Sequence, residues 1–250
     1  MKRMLFISGI LVTLVAFLLP AVQAPAANVP VNAPQIHVKD GTSTNWAGYA
    51  VETSLKNPKS GAVTDVKGSW VVPAVTGSTN AWSSIWVGID GYSSNTVEQI
   101  GTDQNWINGN ASYAAWYEIY PKYPVTIPYT VKPGDRIDAE VQYVGSSFVL
   151  TLIDEGNWNC TTTQKCPSAK RSSAEWIAEA PWSSGVLPLA NFGTATFTNA
   201  SAAISGTSGP IKTWAFDCIN IVNSSGGIKA QTGTLSPDGT SFGVTWLSSN

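Results

Sequence analysis

Short runs of alternating apolar and polar residues, separated by Gly, Asn and Ser, recur along most of this chain. The clearest run spans residues 135–144, where Ile137, Ala139, Val141 and Tyr143 occupy every second position. Successive side chains of a β-strand point to opposite faces, so these four residues are expected to share one face. The next run, 147–153, is predicted to pair with the first as a hairpin.

The same pattern predicts an all-β protein. No window of a dozen residues has the apolar stripe of an amphipathic helix, and the 250 residues suffice for one large domain. The favoured fold class is a sandwich of two antiparallel sheets. The predicted strands are 45–51, 68–73, 82–90, 96–100, 112–120, 135–144, 147–153, 173–179, 193–199, 212–221 and 241–247.

The first residues have the pattern of a secretory signal peptide. Lys2 and Arg3 precede an almost wholly apolar run, 4–22, which small residues follow. We expect a signal peptide over 1–26, a linker or short pro-segment over 27–44, and one domain over 45–250. The alternative is an uncleaved membrane anchor, because the apolar run is nearly long enough to span a bilayer. The first interpretation predicts a secreted protein with no membrane association after cleavage.

Composition excludes several function classes. Charged residues make up only 12% of the chain, and 14 basic residues stand against 16 acidic ones, which argues against nucleic-acid binding. The single histidine, His37, and the three cysteines form no zinc-site pattern, so neither a metal nor a cofactor is expected. Cys160 and Cys166 flank a polar segment, 161–165, predicted to be a loop that a disulfide could close, and Cys218 would then be a free thiol.

Two polar residues in separate predicted strands are candidate catalysts for amide hydrolysis. This reaction needs an activated water, a stabilised oxyanion and a proton for the departing nitrogen. A glutamate such as Glu179 can activate water and return the proton, while a glutamine such as Gln99 can donate a hydrogen bond to the oxyanion. Strand alternation places Glu98 and Gln99 on opposite faces, but it cannot choose between Glu175 and Glu179, which share a face.

Four segments together resemble the glutamic peptidases, or eqolisins. They are Trp-Val-Gly-Ile-Asp-Gly at 86–91, Val-Glu-Gln-Ile-Gly at 97–101, Ala-Trp-Tyr-Glu-Ile-Tyr at 115–120 and Ala-Glu-Trp-Ile-Ala-Glu at 174–179. The resemblance implies an acid endopeptidase with a Gln99/Glu179 dyad, insensitive to pepstatin. It also implies a concanavalin-like jelly roll, no cofactor, a monomer, and protein or peptide substrates. The residues that the resemblance places along the substrate cleft are Trp46, Trp86, Asp90, Glu118 and Tyr120.

This sequence departs from the family pattern at three points. Glu98 replaces an apolar residue beside the dyad glutamine, Ala114 stands where fungal members tend to carry Asp, and the fungal cysteine pattern is absent. Two predicted cleft residues also have simpler interpretations. Asp90 before Gly91 can be a turn residue, and Glu118 can lie on an exposed strand face.

Two other functions fit a β-sandwich rich in tryptophan. A glycoside hydrolase would use Glu118 and Glu179 as its paired carboxyl groups and should tolerate loss of Gln99. A carbohydrate-binding module would bind polysaccharide without turnover and keep its function without Glu179. The role of Gln99 therefore separates the first alternative from the peptidase, and turnover separates the second.

Overall fold

The computed structural model describes residues 41–250, whose regular secondary structure is almost wholly antiparallel β-strand. In this part of the chain there are sixteen strands and one 3₁₀ helix, Ile211–Thr213. The strands are β1 Thr42–Ser43, β2 Trp46–Glu52, β3 Val63–Val71, β4 Ser84–Ile89, β5 Val97–Ile107, β6 Asn110–Tyr120, β7 Val125–Ile127, β8 Arg136–Val144, β9 Ser147–Asp154, β10 Trp158–Gln164, β11 Ser173–Glu179, β12 Thr194–Ile204, β13 Thr207–Pro210, β14 Ala215–Val222, β15 Ile228–Thr232 and β16 Phe242–Trp246.

The strands form one long hydrogen-bonded series with two halves. The back half runs β10-β9-β8-β3-β12-β16-β15, and the site half runs β2-β11-β4-β5-β6-β7. β14 joins them, because its residues 215–219 pair with β2 while Ile221 and Val222 pair with β15. Each neighbouring pair along this series is antiparallel, and the short β1 pairs with β14 in parallel.

The two halves face each other across an apolar core. The indole of Trp176 in the site half donates to the carbonyl oxygen of Lys67 in the back half at 2.8 Å. The indole of Trp70 in the back half donates to Thr102 Oγ1 in the site half at 3.1 Å. Since both indoles are buried, these bonds satisfy polar groups inside the core. This arrangement confirms the prediction of an all-β antiparallel fold.

Every residue of β11 is buried, because apolar clusters cover both of its faces. Ala174, Trp176 and Ala178 belong to the main core between the two halves. Ile177 belongs to a separate apolar cluster on the opposite face, which we call the site face. By alternation Glu175 and Glu179 share the site face with Ile177. A strand covered on both sides can therefore hold two buried carboxyl groups.

Several sequence-based predictions are confirmed in detail. Ile137, Ala139 and Val141 are buried along β8, and their polar neighbours are less so. β9 pairs with β8 from Val144 opposite Ser147, so the predicted hairpin is present. Gly145 in the turn has φ +66°, a left-handed conformation that glycine adopts without strain.

Several predicted boundaries differ from the structure. Residues 161–165 were expected to be a loop, but most of them belong to β10, an edge strand whose β-branched threonines favour extended backbone without an apolar face. Thr42 and Ser43, which fall within the predicted linker over 27–44, pair with β14. The strand expected from 212 starts at Ala215, after the 3₁₀ turn. The predicted signal peptide and most of the predicted linker lie outside the described residues.

The hydrogen bond that Trp176 makes across the core should contribute measurably to the free energy of unfolding. Trp176→Phe removes buried volume and the hydrogen bond to the Lys67 carbonyl, so we expect it to lower the free energy of unfolding by about 2–4 kcal/mol. Trp158→Phe is the matched control, because its indole also donates to a backbone carbonyl, that of Thr130, but near the surface. Urea titration should show a loss below about 1 kcal/mol for the control. Equal losses in both variants would contradict this account of the core.

Candidate active site

Glu179 ends β11 on the site face, where two N–H donors hold its carboxylate. Trp86 Nε1 donates to Oε2 at 2.8 Å, and Asn45 Nδ2 donates to Oε1 at 3.2 Å. The residue is only 4% exposed. Burial raises the pKa of Glu179 to about 7, and the hydrogen bonds from Trp86 and Asn45 act in the opposite direction. The carboxylate is thus fixed in orientation and still able to take up a proton near neutrality.

Gln99 lies on β5 and is oriented by its cross-strand neighbour. β5 and β6 place Gln99 directly opposite Glu118, and Gln99 Nε2 donates to Glu118 Oε2 at 2.5 Å. On the other side Gln99 lies opposite Gly88, where a Cβ would come within 3.1 Å of Gln99 Cβ. A residue larger than glycine would therefore crowd the glutamine, so the Trp-Val-Gly motif helps to position it.

Glu118 interacts with both residues, through a hydrogen bond with Gln99 and electrostatically with Glu179. Burial, together with the negative charge of Glu179, raises the pKa of Glu118 to about 8. Gln99 and Glu179 lie on the two strands that flank β4, opposite Gly88 and Ser84 respectively. No direct hydrogen bond joins their side chains among residues 41–250. The structure thus brings both predicted catalysts to one face, with Glu118 bonded to one and within electrostatic reach of the other.

Aromatic side chains form the apolar part of the site face. The rings of Trp46 and Trp86 meet edge to face, with centroids 4.7 Å apart at 76°. Trp116 packs in the same cluster, and Tyr120 packs against its margin. Edge-to-face packing holds the Trp86 indole rigidly, which fixes the direction of its N–H toward Glu179.

A third acidic residue, Asp103, belongs to this face and was missed by the sequence analysis. It lies on β5 opposite Ser84, whose Oγ donates to its Oδ1 at 2.6 Å. Burial raises its pKa to about 6, and its charge raises the pKa of both Glu118 and Glu179. Asp103 is four residues from Gln99 on β5, so the two side chains share a face. The sequence analysis missed it because it predicted that this strand ends at Ile100.

Comparison with known proteins decides the family. The model of the peptidase A4 family matches residues 44–246. The chain belongs to the peptidase A4 family. It is therefore a glutamic-type endopeptidase that acts on proteins or peptides, and the glycoside hydrolase and carbohydrate-binding alternatives are set aside.

Relatives within the peptidase A4 family cover most of the chain. Aspergillopepsin-2 of Aspergillus niger is 30% identical over 82% of this chain and 78% of its own length. Scytalidopepsin B of Scytalidium lignicola is 30% identical over 58% of this chain and 55% of its own length.

Solved structures show the same fold. Scytalido-glutamic peptidase with a peptide-based transition-state analogue gives a TM-score of 0.69 at 25% identity, over 82% of this chain and 98% of that one. Aspergilloglutamic peptidase from Aspergillus niger gives 0.59 at 31% identity, over 67% and 99%.

Asp90, predicted to line the cleft, is hydrogen-bonded to the loop before β11. Its Oδ2 accepts the backbone N–H of Arg171 at 2.6 Å, and its Oδ1 accepts the backbone N–H and the hydroxyl of Ser172 at 2.9 and 3.0 Å. Thr96 also donates to Oδ2. Because both oxygens are engaged by the chain itself and the residue is fully buried, Asp90 clamps the loop before β11 to the end of β4. These bonds agree with the simpler interpretation of Asp90 as a turn residue, and its place along the substrate cleft stays a prediction.

Other carboxyl groups are buried away from the dyad. Glu98, which departs from the family pattern, is fully buried, and burial followed by the charge of Asp90 raises its pKa to about 8. Glu175 is fully buried near Glu52, and burial raises the pKa of Glu175 well above its ordinary value. Glu179, by contrast, is the glutamate of β11 that meets the indole of Trp86.

Metal, disulfide and membrane features are absent from the described part of the chain. Residues 41–250 contain no group of three His, Cys, Asp or Glu side chains placed to hold a metal ion. Cys160, Cys166 and Cys218 are free thiols, so the possible disulfide between the first two is not formed. No helix in this range has the length and apolar character needed to cross a membrane.

The buried carboxyl groups predict that the fold weakens as pH rises. Glu98 titrates at about 8 in the folded chain against an ordinary value of 4.5, so the folded state binds more protons between these values. Stability is then highest below 4.5 and falls as pH rises through the folded pKa, with a limiting slope of about 1.4 kcal/mol per pH unit for each such group.

Glu98→Gln tests this linkage. The amide does not ionise, so the free energy of unfolding of the variant should fall less steeply than that of the parent between pH 5 and 8, by up to about 1.4 kcal/mol per unit. Urea titration at several pH values measures both slopes. Parallel slopes would show that Glu98 does not contribute to the loss of stability.

Proposed function

We propose that this peptidase A4 family member hydrolyses peptide bonds with a dyad of Glu179 and Gln99. The single observation that carries the proposal is the environment of Glu179. It is a buried carboxylate fixed by Trp86 and Asn45, on the same face as a buried glutamine amide that Glu118 orients. Neither a histidine nor a metal is required for this arrangement to act on an amide.

Glu179 is the general base and then the general acid. Its carboxylate takes a proton from water while the water oxygen attacks the scissile carbonyl carbon, and the π electrons move to the carbonyl oxygen. When the C–N bond breaks, Glu179 returns the proton to the departing nitrogen. The two N–H donors hold the carboxylate so that little reorganisation is needed at the moment of attack.

Gln99 stabilises the oxyanion. A primary amide nitrogen carries two hydrogens, and Nε2 of Gln99 uses one of them on Glu118. The second remains for the oxygen that gains charge during attack. A neutral donor suits this position, because an ionised carboxylate would repel the oxyanion.

The finer features expected from the sequence belong to the same proposal. The segment 1–26 acts as a signal peptide, 27–44 is a linker or short pro-segment before the domain at 45–250, and the mature enzyme is a secreted monomer without membrane association. The sandwich has the concanavalin-like jelly-roll topology, and Trp46, Trp86, Glu118 and Tyr120 line the cleft. Action in acid belongs to the proposal through the family resemblance alone. Because Glu179 must be ionised to act as the base, activity should fall as pH drops below its folded pKa.

Glu179→Gln is the decisive variant. The amide keeps the size of the side chain but cannot take a proton, so turnover of a denatured protein substrate should fall by about 10²–10⁴-fold. Digestion should be followed at acid pH with pepstatin present, and circular dichroism should verify folding.

Glu155→Gln is the matched control, because Glu155 is an exposed turn residue remote from the site face. The control should digest at the parent rate. Parent-like digestion by a folded Glu179→Gln variant would refute the proposed base.

Trp86→Phe tests how the base is tuned. The indole N–H stabilises the ionised form of Glu179, so its loss should raise the pKa of Glu179 by about one unit. Activity on the acid side requires the ionised base, and the acid limb of kcat/KM should therefore move to higher pH. An acid limb that stays in place or moves to lower pH would show that Trp86 does not act on the base.

A further inference from the structure

Glu118 has a free oxygen that the dyad chemistry does not use. Its Oε2 accepts from Gln99, while its Oε1 is buried and has no hydrogen-bond partner among the described residues. The residue is 4% exposed and lies on the site face, directly across from the proposed oxyanion donor. Orienting Gln99 requires only Oε2, so the position of Oε1 needs a separate explanation.

The surroundings of Glu118 favour a neutral carboxyl group. The charged groups that act on it are Glu179 and Asp103, and both are acidic. Among residues 41–250, ion pairs form only around Lys67 in the back half. A buried carboxylate without a cation is costly, and a second negative charge nearby adds to the cost. When Glu179 is ionised as the base, Glu118 is therefore the group that keeps a proton.

We propose that protonated Glu118 is a second hydrogen-bond donor to the oxyanion, acting beside Gln99. This inference rests on the proposed function of Gln99 and Glu179 and adds a catalytic residue to it. Oε2 acts as the carbonyl oxygen that accepts from Gln99, and the O–H lies on Oε1, which no other described residue engages.

The proposed hydrolysis requires no proton transfer from Glu118. Water attacks the carbonyl carbon, Glu179 takes the water proton, and the carbonyl oxygen becomes the oxyanion. The Glu118 O–H and the second N–H of Gln99 donate hydrogen bonds to that oxygen, and each keeps its hydrogen. The C–N bond then breaks as Glu179 protonates the nitrogen. A protonated carboxyl group can serve in this way when its site keeps it neutral.

Two substitutions of Glu118 separate donation from packing. Glu118→Gln retains both a carbonyl acceptor for Gln99 and an N–H donor for the oxyanion, so it should keep kcat within about 10-fold of the parent. Glu118→Met keeps the length of the side chain but has no donor, and kcat should fall about 10²-fold or more with little change in KM. A Gln variant as impaired as a folded Met variant would overturn the proposal.

A double-mutant cycle separates direct donation from an effect through Gln99. The four proteins are the parent, Gln99→Met, Glu118→Met and the double variant. The readout is the Kd of a peptide phosphinate, whose tetrahedral oxygens mimic the oxyanion and whose binding needs no turnover. If Glu118 donates directly, the double variant should bind about 10-fold or more weaker than Gln99→Met alone. Equal Kd values for these two variants would show that Glu118 acts only by orienting Gln99.

The same experiments distinguish this proposal from the dyad proposal. If the folded Glu179→Gln variant keeps parent-like turnover, the dyad itself is wrong. If that variant is inactive while Glu118→Met matches the parent in both kcat and Kd, the dyad stands and only the role of Glu118 is overturned.

Discussion

The burial of carboxyl groups without cationic partners is the constraint on which the site depends. Glu179, Glu118 and Asp103 lie on one face of the site half, and N–H or O–H donors, rather than Lys or Arg, contact them. Such donors orient a carboxyl group without fixing its charge. The ionisation of each group then depends on its neighbours, so the face favours states in which only some of its carboxyl groups are charged.

The sandwich creates this environment by covering the central strands on both sides. β2, β4 and β11 are buried along their whole length, so polar residues on their site face are removed from water with the apolar ones. Gly88 and Gly101 leave room above β4 and β5. A Cβ on Gly101 would come within 2.5 Å of Trp86 Cβ, so the glycine allows the indole to lie across the sheet toward Glu179. Fold and chemistry are thus linked through the glycines next to the tryptophan.

Alternation and motif together predicted most of the fold and part of the site. Alternation correctly separated the two faces of β8, and it correctly placed Glu98 away from Gln99's partner Glu118. It could not choose between Glu175 and Glu179, because that choice depends on which residue meets the Trp86 indole from another strand. Asp103 was missed because β5 continues through a polar stretch where no apolar alternation marks the strand.

The remaining differences also have physical causes. Asp90 carries a family motif but is bonded to the backbone of a loop some eighty positions away in sequence, a contact that only the tertiary fold creates. Residues 161–165 were predicted to be a loop because an edge strand rich in threonine has no apolar face to reveal it, and most of them belong to β10. Local patterns therefore predict elements and faces, whereas the partners of buried polar groups require the structure.

The central claim is that Glu179 must be ionised for turnover. The most direct test is an infrared titration of its carboxyl band, obtained as the difference between the parent and Glu179→Gln, compared with the acid limb of kcat/KM for a short peptide. The account predicts one pKa in both experiments, raised above the ordinary value of 4.5 for glutamate. An acid limb controlled by a group that titrates elsewhere, with Glu179 protonated throughout the active range, would contradict it.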